Sequence, residues 1–301
     1  MDASLTLLVD ASSLIYRAFF SSPDTIRAPD GSSIHAAHGF LNMLERLIEG
    51  RNPDFLCCAA DEDWRPEWRV KLIDTYKTQR TDPASTQQQV DRQVAGQIEV
   101  LSEVLSLCGV PFVGHPDHEA EDVIGTLAER APGRVAIVSG DRDLFQLVRD
   151  PAVFVLYPKR GVSVVDTVDE AYIESRYGIP GRAYRDYAVL RGDPSDGLPG
   201  VRGIGEKIAG SLLARHGSLD AVLAAAAKGG GTVLTKVHNT RDYIERALQV
   251  TTIPTDLPIP KLDLTRPRAV PEGPALEFAA RHGLTGPTRR LIAALGSNSS
   301  S

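Results

Sequence analysis

The chain has 301 residues, 42% of them hydrophobic and 24% charged, a soluble globular composition with length for one large or two ordinary domains. No apolar run is long enough to span a bilayer, and the Met1-Asp-Ala-Ser4 start carries no basic region, so neither a membrane protein nor a signal peptide is expected. A net charge of −6 argues against a polyanionic partner only if the acids are spread evenly: removing the nine carboxylates assigned below to one pocket leaves +3 for the rest.

Leu5-Thr-Leu-Leu-Val-Asp10 is a short apolar run ending in an acid, the pattern of a buried parallel strand with a carboxylate at its C-terminal end. A turn and first helix follow over 11–20. Phe40, Leu41, Leu44, Leu47 and Ile48 have helical spacing. Phe55-Leu-Cys-Cys-Ala-Ala-Asp61 repeats the strand-then-acid pattern, although an Asp at a strand end is also a common helix cap. Cys57, Cys58 and Cys108 lack metal-ligand spacing and read as buried small hydrophobes in a reducing compartment.

Between 63 and 80, cations alternate with aromatics: Trp64, Arg65, Trp68, Arg69, Lys71, Tyr76, Lys77 and Arg80. Such a stretch offers faces for bases and contacts for phosphates; it is equally an amphipathic helix with a solvated basic face. Residues 81–97 are polar and rich in Gln and Ser. They read as a mobile crossing segment that leads into a helix through Ile98, Leu101, Val104 and Leu105.

A short strand over 110–113 precedes Glu119, Glu121 and Asp122, which cluster where Val123, Ile124 and Leu127 begin a helix. Acids in a first helical turn commonly complement the helix dipole. Val135 to Asp143 is a third strand ending in acid, now as the pair Asp141 and Asp143. A hairpin is expected over 153–165 around Pro158-Lys-Arg-Gly161, then a short helix over 172–178.

The stretch from Arg191 to Lys207 joins two kinds of chemistry. Asp193 and Asp196 lie three apart in a Gly/Pro-rich turn, so both carboxylates can face one pocket, although Asp in such turns is ordinary turn chemistry. Gly200, Gly203 and Gly205 then feed a helix N-terminus carrying Lys207, an arrangement suited to a phosphate. Beyond it the composition is helical, interrupted by Gly229-Gly-Gly231, with a helix near 242–250 and apolar periodicity over 276–295.

Strands alternating with helices imply a mostly parallel central sheet flanked by helices, an α/β fold with its C-terminal strand ends on one side. Asp10, Asp61, Glu119, Glu121, Asp122, Asp141, Asp143, Asp193 and Asp196 then converge on that edge. Acids so concentrated call for cations, and all-oxygen ligation selects hard ions such as Mg²⁺ or Mn²⁺.

The motifs Leu8–Phe19, Tyr76–Arg80, Glu119–Ile124, Gly140–Leu144 and Gly192–Lys207 resemble, in order and rough spacing, those of the 5′-nuclease (flap endonuclease) family. The likeness is to the N-terminal 5′-nuclease domain of bacterial DNA polymerase I and runs from about Leu5 to Leu295, without a polymerase segment. It implies a resolvase/PIN-like catalytic core over 1–175, a helical DNA-binding region with a helix-hairpin-helix over 176–295, and a disordered tail over 296–301. It also implies two metal clusters with two or more ions: Asp10, Asp61, Glu119 and Glu121 in the first, Asp141, Asp143, Asp193 and Asp196 in the second, and Asp122 near both. By the same resemblance Lys77 and Arg80 contact the scissile phosphate, and Tyr76 stacks on the terminal base. The resemblance further implies that the Gly200–Lys207 hairpin grips DNA, with K⁺ as a candidate ion there; Arg69, from the cation–aromatic stretch, is expected as a further DNA contact.

The implied protein is a monomeric bacterial cytoplasmic enzyme with 5′-3′ exonuclease and flap endonuclease activity. Its partners would be DNA ends, flaps or nicks, with RNA–DNA hybrids a further substrate class. Gly197 stands where the family usually has Asn, Glu121 where it has Asp, and 81–97 lacks the usual Pro/Met pattern. The alternative is a catalytically inactive junction-binding protein of the same fold; retention of every motif acid weighs against it. A dehalogenase-like phosphatase is disfavoured because Ser12 occupies the place of the second Asp that its chemistry requires.

Overall fold

A computed structural model describes residues 4–82 and 86–297. In chain order the elements are β1 (Leu5–Asp10), α1 (Ala11–Ser21), α2 (His35–Arg51), β2 (Phe55–Ala59), α3 (Glu67–Leu72), α4 (Thr86–Leu107), β3 (Phe112–Val113), α5 (Ala120–Arg130) and β4 (Arg134–Val138). They continue with β5 (Val153–Arg160), β6 (Val164–Val168), α6 (Glu170–Tyr177), α7 (Tyr184–Arg191), α8 (Glu206–His216), α9 (Leu219–Ala227), α10 (Thr232–Asn239), α11 (Arg241–Thr251), α12 (Glu272–Arg281) and α13 (Thr285–Gly296).

The strands form one sheet in the order β3-β2-β1-β4-β5-β6, parallel except for β6. Successive residues of the central strands feed opposite cores, as the period of two requires. Leu8, Cys57, Ile137 and Val155 face a layer containing α5, α7 and α8. Leu7, Val9, Cys58, Ala136 and Leu156 face α1, α2 and α4. The three cysteines are buried and unbridged, and burial pushes the Cys57 thiol up to about 12. Chain direction across the sheet reverses between β1 and β4, the place where α/β sheets open a crevice at their carboxyl ends.

Two expectations are corrected. The polar segment before Ile98 is helical from Thr86, with Val90 and Val94 buried alongside Leu101. Gln favours helix, and Gln97 buries its amide to accept from the Ala36 and Ala37 N–H groups at the start of α2. Of the expected crossing, 83–85 lie outside the described residues, as do 298–301 of the expected tail. The hairpin turn is Gly161–Ser163 rather than 158–161, because Pro158 pairs within the ladder opposite Val165. Pairing of β5 with β4 ends at Leu156, so the missing Pro N–H leaves no neighbour unpaired there.

After α11 the chain runs back along the sheet, where the Leu56 N–H donates to the Leu264 carbonyl at 2.7 Å. Helices α12 and α13 then join the α2 core through Ala275, Ala279, Leu291 and Leu295, so they pack with the sheet layer although they follow the hairpin region in sequence. Among the described residues, no helix is long and apolar enough to cross a membrane.

Candidate active site

Asp10 ends β1 and caps α1, accepting from the Ser13 N–H at 2.9 Å; its other oxygen accepts from Ser139 Oγ at 2.5 Å. Asp61, just past β2, accepts from the Ala120 N–H at 2.7 Å, and its own N–H donates to Ser12 Oγ at 2.9 Å. The first turns of α1 and α5 therefore fix both carboxylates at the sheet edge. Glu119 precedes α5 and accepts from Tyr76 Oη at 2.5 Å, Arg69 Nη1 at 2.5 Å and Lys77 Nζ. Asp10, Asp61, Glu119 and Lys77 border a cavity of about 310 Å³ that also reaches Glu121 and Asp141.

A second cavity, about 680 Å³, is bordered by Asp141, Asp143, Asp193 and Asp196 together with Arg80, Arg142 and Arg191. Arg191 pairs with Asp193 at 3.2 Å and with Glu206 at 3.7 Å, tying the carboxylate to the start of α8. Arg80 pairs with Asp196 at 2.9 Å. The loop over 75–80 is stitched to the loop over 193–197: the Lys77 N–H donates to the Asp196 carbonyl at 2.9 Å, and Thr75 Oγ1 donates to the Gly197 carbonyl at 2.7 Å. Gly197 has φ +72°, and a Cβ there would lie 2.0 Å from the Thr75 carbonyl oxygen. An asparagine here, the residue the resemblance leads one to expect, would collide at this crossing unless the loops moved apart. Lys77 itself holds φ +49°, an uncommon conformation for a residue with a side chain.

One carboxylate oxygen each of Glu121, Asp141 and Asp143 lies within 4.8 Å of the others. Glu121 was expected with the first cluster, yet its carboxylate meets the first two acids of the second, so the two clusters are contiguous. Burial first, then Asp61 and Asp141, pushes Asp10 up to about 7. Enclosure and Glu119 raise Asp61. Enclosure also raises Glu121 and Asp143, followed by neighbouring acids, among them Asp141 for both. Asp196 is pushed to about 6 by burial and by Asp141 and Glu119, against the pull of Lys77 and Arg80. For Glu119, burial acts upward, but Lys77 and Arg69 outweigh it and hold the carboxyl below its usual range. Crowded oxygens that raise one another's proton affinity suit a hard divalent cation, which relieves the same repulsion.

Three expected residues occupy different roles. Tyr76 is 2% exposed with its hydroxyl on Glu119, so its ring has no free face for a base. Arg69 is fully buried and pairs with Glu119, Glu121 at 3.1 Å and Asp122 at 2.6 Å; it is an internal counter-ion, not a DNA contact. Asp122 is fully buried and divided between Arg69 and the Glu119 N–H, behind the cavity. Lys77 and Arg80 border the first cavity. Ser12, Ser13, Ser139 and Arg191 carry no site role in the sequence reading. The serines flank Asp10 and Asp141, and Arg191 opens the Gly/Pro stretch, but nothing in residue type alone marks them.

The hairpin between α7 and α8 has Gly200 at φ +67° and Gly203 at φ +79°, with Gly205 as the α8 N-cap. Gly200 packs against Gly192, where a Cβ would come within 2.5 Å of backbone, and its N–H donates to Tyr243 Oη at 2.9 Å. Lys207 is exposed on the first turn of α8.

Residues 5–178 match the 5′-3′ exonuclease N-terminal resolvase-like domain, and residues 179–270 match the 5′-3′ exonuclease C-terminal SAM fold. A 5′-3′ exonuclease of Streptomyces coelicolor is 43% identical over 299 residues, covering 96% of this chain and 99% of that protein. A DNA polymerase I of Mycobacterium bovis is 35% identical over 257 residues, covering 84% of this chain and 27% of the polymerase. A bacteriophage T5 flap endonuclease, solved as a pseudo-enzyme–product complex with DNA and metal ions, superposes with a TM-score of 0.69 at 15% identity, covering 97% of this chain and all of that one. At that identity the superposition speaks for the fold.

Proposed function

The chain belongs to the 5′-3′ exonuclease family, a family of nucleases, and from that premise we propose a divalent-metal-dependent enzyme that hydrolyses DNA at 5′ ends and at 5′ flaps. The observation that carries the metal dependence is the approach of Glu121, Asp141 and Asp143 within 4.8 Å, beside Asp10, Asp61 and Asp196. In this reading these residues, with Asp193 and Glu119, hold Mg²⁺ or Mn²⁺. When bound, the metal supplies Lewis-acid stabilisation of the phosphate and an acidified water.

The chain's own groups do the rest. Lys77 and Arg80 shift from Glu119 and Asp196 toward the non-bridging oxygens of the scissile phosphate, countering the charge that builds in the transition state. Lys77 acts as a buried point charge and Arg80 as a half-exposed fork that can follow the strand. Arg69 and Tyr76 hold Glu119 from behind. Ser13 and Ser139 keep the Asp10 carboxylate aimed into the cavity. The Gly200–Lys207 hairpin grips the duplex backbone, with K⁺ as a candidate occupant, and Arg191 links that grip to Asp193. RNA–DNA hybrids fall within the same phosphate-directed chemistry, and the enzyme acts as a monomer.

The test uses a double-flap DNA and a blunt duplex, each labelled at the 5′ end, with Mg²⁺, Mn²⁺ or EDTA. Mononucleotides from the duplex and flap-length fragments from the double flap, both abolished by EDTA, are the expected products. Release from 3′ ends, or cleavage that persists in EDTA, contradicts the reading.

A further inference from the structure

Burial of Tyr76 leaves the site without the aromatic face expected to receive an unpaired base, and a different residue offers one. Phe20 is 66% exposed, the most exposed large hydrophobic side chain among the described residues, and it borders the cavity that contains Asp10, Lys77 and Asp141. A phenylalanine in water at the rim of a charged pocket gains nothing from folding. It is held in place, however. Phe19 meets it edge-on at 5.3 Å between ring centroids and is itself packed on His35 at 4.5 Å. Trp64 borders the same cavity.

One helix sets the distance. Asp10 caps the start of α1 and Phe20 sits at its end, so the ring lies on the order of 15 Å along the helix from the carboxylate. At about 3.4 Å per stacked nucleotide, that span is a few nucleotides of one strand. We propose that Phe20 is a base-stacking platform that selects substrates whose 5′ end is unpaired for a few nucleotides beyond the reacting phosphate. Aromatic faces hold bases of any identity, so the platform reads strand separation rather than sequence. This rests on the nuclease reading and adds to it the residue that favours flaps over blunt ends.

The test compares wild type, Phe20→Ala and Phe20→Trp on three substrates: a 5′ flap, the same flap built from abasic residues, and a blunt duplex. With the normal flap, KM for Phe20→Ala should rise about tenfold, the scale of one lost base stack, while Phe20→Trp stays near wild type. On the abasic flap and the blunt duplex, Phe20→Ala should match wild type within about twofold. In parallel, 2-aminopurine is placed at each flap position and its fluorescence read on binding in EDTA. One position should be quenched by wild type and not by Phe20→Ala.

Equal losses on all three substrates, no loss on any, or quenching unchanged by Phe20→Ala would overturn the proposal. Because Phe20 is exposed, its replacement leaves the core intact, which a melting curve checks. If wild type cuts nothing with any metal, the nuclease reading fails, and the fluorescence arm still decides whether Phe20 holds a base.

Discussion

Replacing Arg69 with methionine separates a buried counter-ion from a DNA contact. In the native protein its guanidinium is fully buried, 2.5 Å from Glu119, 3.1 Å from Glu121 and 2.6 Å from Asp122. Removing one partner of a buried ion pair typically costs about 3–5 kcal/mol, because the other charge is left desolvated. Here three carboxylates lose their cation at once. Protonation relieves part of the cost, and the direction with pH follows from the carboxyls. Glu119 is held low by Lys77 and Arg69, so its stabilising share is present above its unfolded value of about 4.5 and fades as pH falls through the native value. Glu121 and Asp122 are already raised by burial, and without Arg69 they rise further, so their penalty grows as pH increases.

Urea denaturation in EDTA should therefore show Arg69→Met destabilised by about 3–5 kcal/mol near pH 8 and by less, about 1–2 kcal/mol, near pH 5. Affinity of the folded variant for duplex DNA in EDTA should be close to wild type. A variant of native stability that has lost DNA affinity refutes this argument and restores Arg69 to the binding surface.

Lys77→Ala removes the buried cation nearest the proposed phosphate position; kcat on a flap substrate should fall about 100- to 1,000-fold, with binding in EDTA little changed. Saturating Mg²⁺ should raise the melting temperature more at pH 8 than at pH 5.5. Asp10, at about 7 against an ordinary 3.8, costs the metal-free fold stability as pH rises through that window, and Asp196, at about 6, does the same. A Mg²⁺-induced shift that is flat with pH would contradict that assignment. Lys207→Ala should weaken duplex binding uniformly across sequences and reduce the salt slope by about one, measured by anisotropy over a salt titration.

Much of the site was legible because its acids end apolar runs. Strands buried on both faces read as continuous hydrophobic stretches, and parallel connection puts their C-terminal ends on one edge. That pattern alone places Asp10, Asp61 and Asp141 together. What stayed hidden is side-chain direction on short or polar elements. In the six-residue α3, alternation of cations and aromatics does not say that Arg69 points inward while Trp68 remains half exposed. Tyr76 looked available because its ring joins a core built from residues distant in sequence, and its hydroxyl meets Glu119, 43 positions away. The early turns of α4 were missed because their inward apolar residues, Val90 and Val94, are sparse and the next inward position is Gln97. The Arg191 link from Asp193 to Glu206 crosses a loop whose path no periodicity encodes.

The central claim is that the carboxylates at the sheet edge form a metal-dependent nuclease centre. Cleavage of a 5′-labelled flap DNA by wild type and Asp141→Asn across a Mg²⁺ titration tests it most directly, with anisotropy reporting DNA binding in parallel. Wild-type cleavage that rises with Mg²⁺ and vanishes in EDTA, against an Asp141→Asn variant that binds DNA but does not cut, is the predicted result. Full activity of Asp141→Asn, or intact DNA binding by wild type with no cleavage at any metal concentration, would contradict it.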